Sequence, residues 1–288
     1  MRTFVQLGWT ALCNGYLVGF VKGTISSGPL KNICVPGLNC YSCPGALGAC
    51  PVGSFQAMLT GMEPRLPLYV LGFLFSFGAL FGRFVCGWLC PFGLVQDALY
   101  KIPVHGKRRD LPGDRVLRWM KYVVLVLFVI ILPLYIRDDV LNVSDPWFCK
   151  YICPSGTLMG GWPLLAANES MRGATGVIFG WKSALLVAIL ALSVWSYRPF
   201  CKYLCPLGEL YVFFNRIALF RLRVDRASCV ECGACARACP MGVDMPRLPD
   251  SCECIRCGMC VSACPTGAVR MPLVKNELCG KESGANER

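Results

Sequence analysis

Charged residues and histidine are scarce in this chain, and both shortages narrow its class. Only 16% of the 288 residues are charged, 55% are hydrophobic, and the mean hydropathy is +0.51. This composition argues against a soluble protein with one packed core and favours a protein whose solvent is the bilayer. His105 is the single histidine, so the sequence excludes a bis-histidine haem. It also contains no C-x-x-C-H haem motif and no motif for a flavin or a nucleotide.

The net charge of +12 raises the question of a nucleic-acid partner. The basic residues lie beside apolar stretches, however, and no recognised nucleic-acid-binding motif occurs. Membrane topology accounts for the charge, since lysine and arginine collect on the cytoplasmic side of membrane proteins. We therefore expect membrane lipid, and no nucleic acid, among the partners.

Four apolar runs are long enough to cross a hydrocarbon layer of roughly 30 Å, which takes about 20 helical residues. They predict an α-helical transmembrane domain over residues 1–220, with four spans at about 3–21, 66–84, 116–136 and 177–197. The first run lacks the features of a cleaved signal peptide and is expected to remain as a helix. Eight lysines and arginines lie in the 83–121 connection, but only three in 22–65. The positive-inside rule then predicts a multi-pass protein of a bacterial-type inner membrane with both termini in the cytoplasm.

A short motif, Cys-Pro-x-Gly, occurs four times in the chain. Proline is favoured in the first turn of a helix, so each copy predicts a short helix with a cysteine just before it. An anionic cluster bound there would meet the positive end of the helix dipole. The four copies begin at Cys50, Cys90, Cys153 and Cys205.

The spacing C-x2-C-x2-C-x3-C-P occurs twice near the C-terminus and is that of bacterial two-cluster ferredoxins, in which the fourth cysteine of each run binds the other run's cluster. It predicts a small α+β ferredoxin domain over residues 221–274, with short strands at 222–225 and 268–271. Zinc also uses C-x2-C pairs, but two complete runs followed by proline favour two [4Fe–4S] clusters. The expected ligand sets are Cys229, Cys232, Cys235 and Cys264 for one cluster, and Cys254, Cys257, Cys260 and Cys239 for the other.

Two further motifs, each a C-x3-C-P, follow the second and fourth predicted spans. Because both spans exit inward, their four thiols converge on one side of the membrane, where we expect a further redox centre or a reversible dithiol pair. The alternative is that they are buried packing cysteines. The four residues are Cys86, Cys90, Cys201 and Cys205.

With these motifs and the terminal double ferredoxin, the chain resembles the NapH-type quinol dehydrogenase membrane component, a polyferredoxin-like family of 4Fe–4S membrane proteins. It is also similar to the C-terminal module of the nitrous oxide reductase regulator. The resemblance covers nearly the whole chain. It implies electron transfer between the quinol pool and a redox partner, with both C-x3-C-P motifs at the cytoplasmic side.

A second group of cysteines lies in the two connections that are predicted to face the outside. These cysteines are additional to those of the family pattern. The group can bind an outer-face cluster that extends the electron path, or form disulfides in an oxidising compartment. Which four of its five members would bind is open, and Cys34 is a candidate sixth member. The five are Cys40, Cys43, Cys50, Cys149 and Cys153.

The remaining cysteines and the tail are given no role. Cys13 and Cys279 are expected to be inert, Cys252 is a bystander thiol, and residues 275–288 form a polar tail.

The function predicted by these features is electron transfer, in which quinol or an outer partner exchanges electrons with a protein redox partner through a cytoplasm-facing double ferredoxin domain. The alternative is an assembly or regulatory protein that reduces a metal or a disulfide while another respiratory enzyme matures. The direction of electron flow is not encoded.

Overall fold

The computed structural model describes residues 1–26, 28–63, 66–140 and 142–271. The predicted polar tail, with Cys279, lies outside the described residues. Within the described ranges most regular structure is helical, and the sheet has two strands, Arg223–Val224 and Val269–Arg270. The helices are Arg2–Cys13, Val18–Lys22, Pro51–Thr60, Leu68–Phe81, Phe84–Trp88, Pro91–Tyr100, Asp114–Tyr135, 154–167, Val177–Trp195, Pro199–Tyr203, Pro206–Val212, Ala234–Ala238 and Met259–Ser262, with shorter turns at Pro29–Asn32, Phe148–Ile152 and Glu169–Ala174.

Two helices, Asp114–Tyr135 and Val177–Trp195, are long and apolar enough to cross a membrane. They match the third and fourth predicted spans. Only 28% and 17% of their most apolar windows are buried within the described structure. Apolar side chains therefore cover the outside of these helices, and such surfaces on proteins mark contacts with lipid or with a partner.

The first predicted span is two short helices, Arg2–Cys13 and Val18–Lys22. The chain leaves the helix after Cys13 because a loop packs into the break. The backbone N–H of Leu47 donates to the Cys13 carbonyl over 2.8 Å, and that of Tyr16 donates to the Gly45 carbonyl over 3.1 Å. The apolar run continues through the break, which is why the sequence predicts one helix.

The second predicted span is a helix of 14 residues, Leu68–Phe81. At about 1.5 Å per residue it is roughly 21 Å long, short of the hydrocarbon layer. It ends at Gly82, whose φ of +53° lies in the left-handed region that favours glycine. A β-carbon there would also lie 2.8 Å from the Asn215 side-chain oxygen.

The prediction that each Cys-Pro-x-Gly motif starts a helix is confirmed. In every copy the proline is the first helical residue and the cysteine lies immediately before it, in extended backbone. Each cysteine side chain is thereby placed at the N-terminal end of a helix, where backbone N–H groups lack helical partners.

The strands predicted at the edges of the ferredoxin region are also confirmed. Arg223 pairs with Arg270 and Val224 with Val269 in an antiparallel register. The helices Ala234–Ala238 and Met259–Ser262 each follow a glycine with positive φ, +68° at Gly233 and +83° at Gly258. This small sheet and the two helical turns hold the loops that carry the ferredoxin cysteines.

The ferredoxin region packs directly on the helix that carries Cys86. A side chain at Gly87 would collide with the Ile255 carbonyl oxygen. The Trp88 indole N–H donates to the Arg256 carbonyl over 3.0 Å. The Cys86 helix and the Cys254–Cys257 loop are therefore in backbone contact.

Candidate metal centres

Sixteen of the described cysteines border four cavities, with four cysteines at each. The first cavity, named the distal site, encloses about 330 Å³ free of atoms. Its cysteines are one of the two sets expected from the sequence. They are Cys229, Cys232, Cys235 and Cys264.

The second cavity, the proximal site, encloses about 320 Å³ and is bordered by the other expected set. Cys239 crosses over from the first run to join the three cysteines of the second. Its sulfur accepts from the Val243 N–H over 3.4 Å, and backbone N–H groups aimed at sulfur tune the potential of a bound cluster. Burial raises the pKa of Cys254 to about 12. The site is completed by Cys254, Cys257 and Cys260.

The third cavity, the inner site, lies nearer the ferredoxin region than the fourth and encloses about 300 Å³. Both C-x3-C-P motifs meet there, as the sequence predicts. The Gly93 N–H donates to the Cys90 sulfur over 3.4 Å, and the Gln96 side-chain N–H donates to the Cys201 sulfur over 3.2 Å. Its cysteines are Cys86, Cys90, Cys201 and Cys205.

Two arginines with no exposed surface stand beside the inner site. Arg198 holds Asp97 with two hydrogen bonds, of 2.7 Å and 2.5 Å, and donates to the Cys86 carbonyl. Arg83 borders the cavity and donates to the Cys201 carbonyl over 3.5 Å. Its second guanidinium nitrogen lies 3.3 Å from Glu253 in the ferredoxin region.

The sequence prediction did not include these arginines, although a sequence pattern marks them. Each stands three residues before the first cysteine of its motif, so both copies read R-x2-C-x3-C-P. The outer motif at Cys149 has Pro146 in that place. A further buried ion pair, Lys121 with Glu209 at 3.1 Å, was also missed, because nothing in the pattern distinguishes Glu209 from a solvated acid.

The fourth cavity, the outer site, is the largest, with about 760 Å³ of empty space that includes an opening to solvent. Lys182 lies at its wall and donates to the Cys149 carbonyl over 3.0 Å. Cys43, one of the five predicted cysteines, does not border the cavity; its thiol donates to the Met159 carbonyl over 3.1 Å. The four that border it are Cys40, Cys50, Cys149 and Cys153.

The inner and outer sites share one residue in their walls. Leu38 borders both cavities. Its neighbour Gly37 packs so closely that a β-carbon would lie 2.7 Å from the Leu89 carbonyl oxygen. The buried Tyr211 donates to the Pro36 carbonyl over 3.2 Å and fixes the start of this segment. The 36–40 segment therefore runs from the wall of one site to the wall of the other.

The remaining described cysteines border none of these four cavities. Cys13, Cys34 and Cys43 are buried and Cys252 is exposed. No disulfide joins any two of the described cysteines.

The donor sets suit iron–sulfur clusters better than single ions. Among the described residues no three cysteine, histidine or acidic side chains lie close enough to hold one metal ion. Four sulfurs on one zinc would lie roughly 4 Å apart, given Zn–S bonds of about 2.3 Å. In a cubane, by contrast, each of the four cysteine sulfurs binds a different iron, and four cysteines border each of these cavities.

Burial also affects the protonation of the thiols at the inner site. Burial raises the pKa of Cys86 to about 11 and that of Cys201 to about 12. These groups would be neutral thiols at pH 7 unless a bound metal supplied positive charge.

Comparison with known proteins finds iron–sulfur domains along the chain. One family model described as a 4Fe–4S binding domain matches residues 66–112, 140–166 and 180–225. Two others with the same description match 222–243 and 253–270. The first model covers both C-x3-C-P motifs of the inner site. It also covers Cys149 and Cys153 of the outer site, which have the same spacing.

Relatives come from archaea and bacteria. An uncharacterized protein of Methanocaldococcus jannaschii is 32% identical over 56% of this chain and 53% of its own length. YccM of Escherichia coli, whose name assigns it to electron transport, is 26% identical over 67% of this chain and 52% of its own. The regulatory protein NosR of Pseudomonas aeruginosa is 29% identical over 56% of this chain and 20% of its own. The chain thus spans about half of these relatives or less.

No solved structure matches the chain. The chain contains ferredoxin-type 4Fe–4S domains. The two long apolar helices favour membrane association.

Proposed function

We propose that this chain is a membrane-bound electron-transfer subunit of the NapH-like quinol dehydrogenase type. It passes electrons between the quinone pool, or a partner on the outer face, and a redox partner on the cytoplasmic side. One observation carries the proposal: four cavities, each bordered by four cysteines. A [4Fe–4S] cluster carries one electron at a time, and four cysteine thiolates are its usual ligands.

The ferredoxin domain, residues 221–274, would hold two clusters. The distal and proximal sites have the crossed ligand sets typical of two-cluster ferredoxins. The transmembrane domain, residues 1–220, would hold one cluster at the inner site and one at the outer site.

Charge favours a cluster over a dithiol at the inner site. Arg83 and Arg198 are fully buried, and a buried cation needs a compensating anion. Asp97 serves both Arg198 and Arg2, the latter over 3.0 Å. Arg83 and Lys121 are balanced by Glu253, which lies 3.3 Å and 2.6 Å from them, and by Glu209, 3.1 Å from Lys121, so the unbalanced cation is in the Arg2–Asp97–Arg198 group. Four thiolates around iron would supply the additional negative charge, whereas neutral thiols or disulfides would not.

The membrane arrangement proposed is four spans with both termini and the ferredoxin domain in the cytoplasm. The Val177–Trp195 helix supports it, because Lys182 at the outer site and the helix end near the inner site are 13 residues apart. That is roughly 20 Å along a helix, about two-thirds of the apolar layer. The two shorter helical segments near the N-terminus and Leu68–Phe81 would complete the four spans.

The quinone part is supported by the family resemblance and has its own test. Menaquinol added anaerobically to the purified, iron-loaded chain should bleach the visible absorbance of oxidised clusters, and menaquinone should restore it in the reduced chain. If neither reagent changes the absorbance while dithionite does, quinone is not a partner.

One observation favours the second candidate function. NosR is named a regulatory protein, so a role in regulating or maturing another respiratory enzyme is the alternative. A gene-deletion strain separates the two. Loss of electron delivery to a fully assembled reductase supports the electron-transfer proposal, whereas a reductase that lacks its own metal supports the alternative.

A further inference from the structure

The distal site reaches the protein surface. Of the sixteen cysteines that border the four cavities, only Cys232 is exposed. Val230, in the same loop, is 65% exposed. A groove with about 770 Å³ of empty space, which includes open solvent, runs beside Cys229, with Val224 and Pro246 in its wall. This end of the chain therefore offers an apolar patch at the edge of a candidate redox centre.

Arginines surround this patch. All are exposed. Two line the groove and one lies against Gly233 of the distal site, whereas the two strand arginines lie next to the valines that line the distal site and face away from it. Within the described part of the chain, only Arg247 among them has an ion pair, with Asp244 at 3.7 Å. The set, named the arginine rim, is Arg223, Arg226, Arg237, Arg247 and Arg270.

Two members of the rim are placed where they repel each other. Arg223 and Arg270 are direct partners in the antiparallel pair of strands. Like charges directly opposite each other destabilise a sheet. A negatively charged group bound between them would remove that cost.

Acidic residues nearby neutralise only part of the rim. Asp225 accepts from the Ser228 hydroxyl over 2.7 Å and from the Ala227 N–H over 3.1 Å, and it also interacts electrostatically with Arg270. Asp244 faces Arg247. Glu231 is the one exposed acid in the groove wall. The surface therefore keeps an excess of positive charge.

We propose that the arginine rim docks an acidic redox protein, whose carboxylates pair with the arginines while an apolar tip covers Val230 and Cys232. The inference rests on the proposed electron-transfer function and names the partner class of its distal site. A protein fits better than lipid, because the proximal site, not the distal one, faces the helices through Ile255 and Arg256. Complementary charge of this kind sets the orientation and the speed of docking.

The test measures binding by the full chain in neutral-lipid nanodiscs, with a strongly acidic flavodoxin as the probe and a basic cytochrome c as its counterpart. The variant Arg226→Glu/Arg247→Glu reverses the two rim charges that line the groove. The matched control, Arg115→Glu/Arg216→Glu, reverses two exposed arginines that border neither the distal site nor the groove.

We expect the wild-type chain to bind flavodoxin, with an affinity that falls as salt rises. The rim variant should bind about tenfold more weakly or worse, the control as the wild type does, and cytochrome c should not bind the wild type. Equal flavodoxin affinity in the wild type and the rim variant would overturn the proposal. Loss of flavodoxin binding in anionic nanodiscs would also overturn it, since the rim would then be occupied by lipid.

Flavodoxin binding and iron content are measured independently. The docking proposal and the proposed function can therefore be refuted separately. A chain that binds flavodoxin through the rim but contains no iron would defeat the proposed function alone. A chain that is loaded with iron but indifferent to rim charge would defeat only this inference.

Discussion

The choice between Cys50 and Cys43 gives the sharpest single-residue prediction. Both cysteines precede a proline and both are buried, at 5% and 1% exposure, although only Cys50 begins a Cys-Pro-x-Gly motif. Of the two, only Cys50 borders the outer cavity, where it lies with Cys40, Cys149 and Cys153. The Cys43 thiol instead donates to the Met159 carbonyl.

Substitution by serine should therefore affect the two positions differently. Cys50→Ser should remove the outer cluster, lowering the iron content of the anaerobic chain from about sixteen to about twelve, at four irons per cluster. Cys43→Ser should leave iron unchanged, because a hydroxyl can donate to Met159 as the thiol does, at a cost of about 1 kcal/mol or less. Cys50→Ala repeats the test without an oxygen that could bind iron.

The assay is iron and acid-labile sulfide per chain, with EPR of the reduced protein to count signals. Far-UV circular dichroism of each variant shows that the helices are retained. Equal iron in both serine variants, at either value, would refute the assignment of four cysteines to the outer site.

Three other variants test the surroundings of the inner site. Arg83→Met should lower the midpoint potential of the inner cluster by up to about 90 mV, since a charge about 8 Å away contributes roughly 2 kcal/mol at an effective dielectric constant of 20; a redox titration followed by EPR that shows no shift would contradict this. Asp97→Asn should destabilise the chain by about 3–5 kcal/mol, because Arg198 would lose its buried partner; thermal unfolding measures the loss. In the wild type, burial acts to raise the pKa of Asp97, but Arg198 and Arg2 bring it below its usual value. That contribution to stability is therefore present above about pH 4 and is lost as pH falls through the lowered pKa, so a melting temperature insensitive to acid would count against it. Gly87→Ala should lower the free energy of unfolding by about 1–3 kcal/mol, because the new β-carbon collides with the Ile255 carbonyl oxygen. Unchanged stability, with unchanged iron at the proximal site, would show that the contact is looser than described.

Much of the site geometry could be predicted because cysteine spacing is a local signal. The spacing of the ferredoxin runs gave the same two sets of four that border the distal and proximal cavities. The Cys-Pro-x-Gly motifs marked four helix starts, since proline fixes the backbone of the first turn.

What could not be predicted depends on contacts between distant segments. The break after Cys13 is stabilised by residues 45–47, and the helix end at Gly82 by a close approach to Asn215. Neither interrupts the apolar pattern. The choice of Cys50 over Cys43 likewise depends on the approach of the 148–153 segment, which local spacing does not encode.

The central claim is that thiolates of one chain hold four iron–sulfur clusters, and iron and sulfide per chain test it most directly. Anaerobically purified, full-length protein should contain about sixteen irons and an equal amount of labile sulfide. About eight of each would limit the clusters to the ferredoxin domain, and a colourless protein that binds only zinc would contradict the account.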